Sequence, residues 1–134
     1  MAASVLAFNV KESELAKLKT VCGGMGISLK AVDRELYGCR LGAIADGSAE
    51  PCASPEGDFT EPLLVMASFS RRQFDIFLKR PEAAGVPLKA VMTEHNAEWT
   101  PLRLYGELCA EREAFRRGGK PVHNGARVGR KRPC

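Results

Sequence analysis

The chain has 134 residues, 45% of them hydrophobic and 27% charged, proportions that suit one soluble globular domain with a sizeable core. The longest apolar run, residues 63–67, is far too short for a bilayer, and the first residues carry no basic region ahead of their apolar ones. A membrane span and a signal or transit peptide are therefore not expected, and the expected compartment is the cytoplasm. The net charge of +4 is unevenly spread: residues 116–134 hold seven of the 20 basic residues and no acid, leaving 13 basic against 16 acidic residues before them.

Residues 4–10 (SVLAFNV) read as a first strand. Residues 12–22 read as an amphipathic helix with Leu15, Leu18, Val21 and Cys22 on one face, ended by the glycines around Met25. A second strand follows at 27–33 (ISLKAVD), then a short helix within 34–46 that uses Leu36, Leu41 and Ile44, weakened by Gly38 and Gly42. Residues 47–61 are rich in Pro, Gly, Ser and acids and are expected to form a flexible linker, with too little apolar surface to hold a fixed structure.

The second half opens with an apolar strand at 62–69. Ser70 and Gln73 have capping-box spacing, and Phe74, Phe77 and Leu78 give the helix behind them its apolar face, until Pro81 ends or kinks it. Leu88-Lys89-Ala90-Val91 reads as a half-buried strand, followed by the polar loop 93–100. Thr100-Pro101 is a strong helix start. Beyond it Leu102, Tyr105, Leu108, Cys109 and Phe115 fall near one face, with Arg103, Glu107, Glu111 and Arg112 on the others, and Trp99 is placed to pack back on the first turn.

LKAV occurs at Leu29 and again at Leu88. The same ungapped shift of 59 sets Val5 on Leu64, Leu18 on Phe77 and Gly26 on Gly85, which predicts two βαβ repeats spanning 4–46 and 62–115 in one domain of residues 1–115. Lysine in the middle of a strand marks an edge position, so the strands of Lys30 and Lys89 should be the outer ones. The expected fold is an α/β two-layer sandwich, ferredoxin-like with strand order 4-1-3-2 and extra helices after each half. The alternative is a small doubly wound parallel sheet.

The run from Leu88 to Glu111 resembles the signature of a bacterial family of uncharacterised proteins, domain of unknown function 3783. The matching positions are Leu88 to Val91, Thr93, Asn96, Trp99, Leu108 and Glu111. The resemblance covers residues 62–115 well and the first half loosely, and it implies no activity.

Five cysteines without a C-x-x-C pair argue against a disulfide framework and a zinc ribbon. Only His95 and His123 could add imidazole ligands, so neither a metal nor another cofactor is expected. Cys22 and Cys109 fall at apolar helical positions and read as buried thiols.

The candidate ligand or partner site is Thr93, His95, Asn96 and Trp99, at the carboxyl end of a strand and the start of a helix. Segment 33–35 of the first half is expected to face the same cleft if a pseudo-twofold relates the halves. His95 could move protons with Glu94 or Glu98 beside it, but no nucleophile accompanies it, and the structural alternative is an Asx turn, a packed indole and a solvated imidazole. Arg127, Arg130, Lys131 and Arg132 lie in a basic tail expected to be disordered; they could bind nucleic-acid phosphates nonspecifically, though a solubilising tail is the stronger reading. The functional expectation is a non-enzymatic binding or regulatory module, with a homodimer left open. A small enzyme acting on an anionic metabolite through the loop is the alternative, and nucleic-acid binding through the tail a weaker one.

Overall fold

A computed structural model describes residues 2–52 and 59–116. The basic tail, with Arg127, Arg130, Lys131 and Arg132, lies outside the described residues, as does the middle of the 47–61 segment. The elements are β1 (Ser4–Phe8), α1 (Glu12–Gly24), β2 (Ser28–Ala31), α2 (Leu41–Asp46), β3 (Leu63–Ala67), α3 (Arg71–Leu78), α4 (Pro81–Ala84), β4 (Leu88–Val91) and α5 (Pro101–Arg116). Short 3-10 turns at Arg34–Leu36 and Asn96–Glu98 precede α2 and α5.

The mixed α/β fold and its two βαβ units are as expected; the strand order is not. The four strands run β2-β1-β3-β4, with β1 parallel to β2, β3 parallel to β4, and β1 antiparallel to β3 at the centre. The order 4-1-3-2 would set β2 beside β3, which a short hairpin between them would favour. Here residues 32–62 leave β2 and cross a sheet face instead, so each lysine-bearing strand stays beside its own partner, joined by a crossover long enough for parallel pairing. The central antiparallel pair equally sets the sheet apart from the all-parallel alternative. Lys30 and Lys89 do lie in the edge strands.

Both faces of the sheet are covered, in keeping with the period-2 alternation of its strands. Val5, Ala7, Leu64 and Met66 pack with Leu18 and Cys22 of α1, Phe77 of α3 and Ala83 of α4. Leu6, Phe8, Leu63, Val65, Leu88 and Ala90 face the other way, onto Leu41 and Ile44 of α2, Trp99, and Leu104 and Leu108 of α5. The extra helices after each half thus form a layer of their own, opposite the crossover helices.

The two halves correspond closely at their centres. Leu18 and Phe77 are both buried on the same face, and Asn9 and Ser68, one residue past the ends of β1 and β3, have φ of 61° and 62°. A non-glycine residue with positive φ is uncommon, so its recurrence at matching strand ends is a shared turn geometry. The ungapped LKAV match, however, fails. Val5 pairs with Leu29 whereas its counterpart Leu64 pairs with Lys89, so the second strands correspond with a shift of 60 rather than 59. A one-residue slip reverses every side chain. Leu29 accordingly packs on the α1 side and Leu88 on the α5 side, while Lys30 reaches the Ala45 carbonyl at 2.6 Å and Lys89 is buried against the carbonyls of Ala83 and Val86. The extra residue is taken up where Pro81 splits the second crossover into α3 and α4; the first is one helix. Gly26 and Gly85 also differ, with φ of 73° and −71°.

Local signals hold well. Ser70 and Gln73 form the capping box in both directions, and Thr100 Oγ1 accepts from the Arg103 amide at 3.2 Å at the start of α5. The buried stripe of α5 is rotated from the expected one: Leu104, Leu108 and Glu111 are buried, and Phe115 is exposed. These buried positions lie one turn or two apart on the side that meets the sheet, and Tyr105 and Leu102 pack only at its margin.

The 47–61 segment does not lack fixed structure at its end. Phe59 is buried, stacked on Tyr37 and Tyr105 with ring centroids 5.4 and 4.6 Å apart. Glu61 accepts from Arg112 through both carboxylate oxygens at 2.8 and 3.1 Å, and from the Tyr105 hydroxyl at 3.0 Å. The hydrogen bonds from Arg112 are the main cause that holds the Glu61 carboxyl below the ordinary glutamate range. A depressed folded-state pKa stabilises the fold above the unfolded value, and that contribution is lost as pH falls through the folded one. Glu61→Gln is expected to cost about 1 kcal/mol at neutral pH. Denaturant unfolding across a pH series should show its deficit closing as the medium is acidified into and below the carboxylate range; a deficit that does not change with pH would show that the ion pair is not its source.

Candidate functional site

The 93–100 loop leaves the edge strand β4 and delivers the chain to α5. Asn96 is its hub and is fully buried. Its Oδ1 accepts from the Thr93 amide at 2.8 Å, its own amide donates to Thr93 Oγ1 at 3.1 Å, and its Nδ2 donates to the Val91 carbonyl at 3.0 Å. Thr93 and Asn96 thus cap each other, which lets a strand end turn at once into the short 3-10 turn. The Asn96 carbonyl in turn accepts from the Trp99 amide at 3.0 Å.

Trp99 is buried among the α2 and α5 side chains, and its carbonyl accepts from the Leu41 amide at 2.8 Å. That bond supplies a partner for the first N–H of α2, a group no helix can satisfy internally. Gly42 lies so close to the loop that a Cβ there would sit 3.3 Å from the Ala97 carbonyl oxygen. An exposed pair, Arg40 and Glu98 at 2.9 Å, closes the same junction.

The four candidate residues therefore do not project together. Asn96 and Trp99 turn inward, Thr93 is half-buried, and His95 is exposed with its ring edge-on to the indole at a centroid distance of 5.3 Å. The exposed Arg103, one turn into α5, lies with its guanidinium carbon 4.3 Å from the centroid of the same ring. Sequence reasoning assigned Arg103 only to a solvent side of α5; its position four residues after Trp99 on a capped helix was the signal that the two could meet. The outer side of the loop thus offers an imidazole and a guanidinium around a fixed indole, with Glu94 and Glu98 exposed nearby.

Segment 33–35 does not share this place. Because β1 and β3 are antiparallel, the carboxyl ends of β2 and β4 lie at opposite ends of the sheet. Arg34 instead donates to the Phe59 carbonyl and to Asn9 Oδ1, at 3.2 Å each. On the opposite face, a groove of about 480 Å³ between α1 and the α3–α4 segment is lined by Val21, Met25 and Ile76 with Lys17 and Arg80. Among the described residues, no group of three or more His, Cys, Asp or Glu side chains is placed to hold a metal ion, and no helix is long and apolar enough to cross a membrane.

Neither a curated protein nor a solved structure matches the chain. A family model does, over residues 62–115, the stretch that runs from the start of β3 to the last turn of α5 and contains the whole of the Thr93–Trp99 loop. That stretch, the second βαβ unit with its covering helix, matches the model of a domain of unknown function, DUF3783.

Proposed function

We propose that this chain is a non-enzymatic binding or regulatory module whose contact surface is the outer side of the 93–100 loop. The observation that carries the reading is the Trp99 ring met by both His95 and Arg103, on a loop whose backbone is tied to α2 and whose Asn96 is spent on holding the turn. A preorganised surface of this kind loses little freedom on binding. Its guanidinium and imidazole suit a carboxylate- or phosphate-bearing contact, whether on a small molecule or a protein. The same reading takes the two βαβ halves as a duplicated unit, supported by the matched turns at Asn9 and Ser68, with the loop as the second half's own addition.

Trp99 is the only tryptophan, so its fluorescence reports on this surface directly. In a thermal-shift screen of the full chain against carboxylates, nucleotides and acidic peptides, a true ligand raises the melting temperature by binding the native state. It should also change Trp99 emission. Arg103→Ala, at an exposed position, is expected to leave the fold intact and weaken that binding by about 10- to 100-fold. Binding that leaves Trp99 emission unchanged and ignores Arg103→Ala would place the contact surface elsewhere. Chemical conversion of a bound compound, abolished by His95→Ala, would replace the module by the enzyme acting on an anionic metabolite.

A further inference from the structure

Cys39 and Cys52 are 13 positions apart in the sequence, yet their sulfurs lie 3.0 Å from each other. Cys39 is buried just ahead of α2, and Cys52 is exposed on the segment that leaves α2. Neither is loosely held. The Cys39 thiol donates to the Glu50 carbonyl at 2.9 Å, and the Cys52 amide donates to the Glu35 carbonyl at 3.0 Å. Backbone contacts on both sides of α2 therefore set the two thiols facing one another. The gap is only about 1 Å longer than a disulfide bond.

We propose that Cys39 and Cys52 form a reversible dithiol–disulfide site that reacts with low-molecular-weight disulfides. The exposed Cys52 attacks first: its thiolate displaces one thiolate from the small disulfide and keeps the other half as a mixed disulfide. Cys39 then attacks the Cys52 sulfur, forming the internal S–S bond and expelling the second small thiolate, which takes up the Cys39 proton. In total the two cysteines lose two electrons and two protons, and the small disulfide becomes two thiols. The division of labour follows from the surroundings. Burial pushes the Cys39 thiol up to about 11, so it stays protonated at neutral pH and acts only once a partner sulfur is activated beside it. Cys22 is buried in the opposite core layer, and burial pushes its thiol up to about 11 as well.

The product would close a covalent ring around α2, whose first amide holds the Trp99 carbonyl. Oxidation would thereby fix the helix that anchors the 93–100 loop, although the site itself does not depend on what that loop binds.

The test is to treat the full-length native chain with oxidised glutathione and map its disulfides by peptide mass spectrometry, before and after reduction. Expected, starting from the fully reduced chain with its five cysteines, is the loss of two thiols, a peptide pair linking Cys39 to Cys52, and full recovery with a reductant. Cys39→Ser should trap glutathione on Cys52 as a stable adduct, and Cys52→Ser should leave Cys39 unmodified. The same treatment in denaturant should lose the preference for this pair. A lasting glutathione adduct on Cys52 of the unchanged native chain, or links that favour other cysteines, would overturn the proposal whatever the variants do.

Discussion

Replacing Phe77 by alanine is expected to lower the free energy of unfolding by about 3–5 kcal/mol, a large part of what holds a domain of this size together. The side chain is fully buried, packed beneath α3 against the sheet with Leu64 and Met66, and its ring meets that of Phe69 edge-on at 5.5 Å. The capping box at Ser70 fixes where that helix starts. The cost is then the lost transfer free energy of the ring together with the cavity it leaves. Ile76, the next residue back, is 41% exposed, and Ile76→Ala should change stability by no more than about 0.5 kcal/mol. Leu18→Ala, at the corresponding place in α1, should cost about 2–5 kcal/mol. Equilibrium denaturation of the three variants checks the set. Equal, small losses at Phe77 and Ile76 would mean that α3 does not seat as described.

What was legible in the sequence is what local chemistry decides. Ser70 with Gln73, and Thr100 with Pro101, declare helix starts because each satisfies amide groups that no helix can satisfy itself. The lysines in the two LKAV segments marked edge strands correctly, since an ammonium has to reach polar atoms and an edge gives it a way to do so. Strand order was less legible. Alternation tells which face a residue takes and says nothing about which strand lies beside it, so order 4-1-3-2 and the observed 2-1-3-4 share one pattern. The LKAV identity misled for a related reason. Four matching letters outweigh a one-residue register change on the page, whereas in the sheet that change decides which core each side chain enters. Pro81 was the visible sign that the second crossover could not be one unbroken helix like the first.

The candidate site shows the same division. The sequence suggested an Asx turn at Asn96; the structure has Thr93 and Asn96 capping each other instead, with Asn96 Oδ1 accepting from an amide three residues back. The helix start at Pro101 was legible, but the contact of Trp99 with Arg103 required knowing that the first turn of α5 passes the indole. Phe59 was hidden by its surroundings, one aromatic in a run of Pro, Gly and acids, because composition describes a segment and not the single ring that two tyrosines can hold. Glu111 was assigned to an outer side of α5 and Phe115 to the inner one, and Leu104 was left out of the buried stripe, for want of the sheet the helix lies on. The Cys39–Cys52 pair had no signal in spacing at all; the turn through α2 makes it.

Asn96 gives the second large effect. Asn96→Ala removes the acceptor for the Thr93 amide and the donor to the Val91 carbonyl, leaving two backbone groups at a buried turn without those partners. At about 1–3 kcal/mol for each group left unsatisfied, an expected loss of about 2–4 kcal/mol follows, allowing for partial access of water at the half-buried Thr93. Asn96→Asp separates the two bonds. The aspartate keeps an acceptor for Thr93, but when ionised it sets an oxygen against the Val91 carbonyl, where the amide had donated. Burial and that carbonyl both disfavour the charged form, so the folded-state pKa is raised above the unfolded value of about 4. A raised carboxyl pKa means that stability is greatest with the acid protonated, below the unfolded value, and falls as pH rises through the folded one. The deficit of Asn96→Asp against the unchanged chain should therefore be small in acid, where the protonated oxygen can donate to Val91, and widen toward neutrality to match or exceed that of Asn96→Ala. Unfolding free energies measured across this range decide it. A deficit of the aspartate variant that stays level with pH would mean that the side chain meets water, and that the turn is held by the Thr93 side alone.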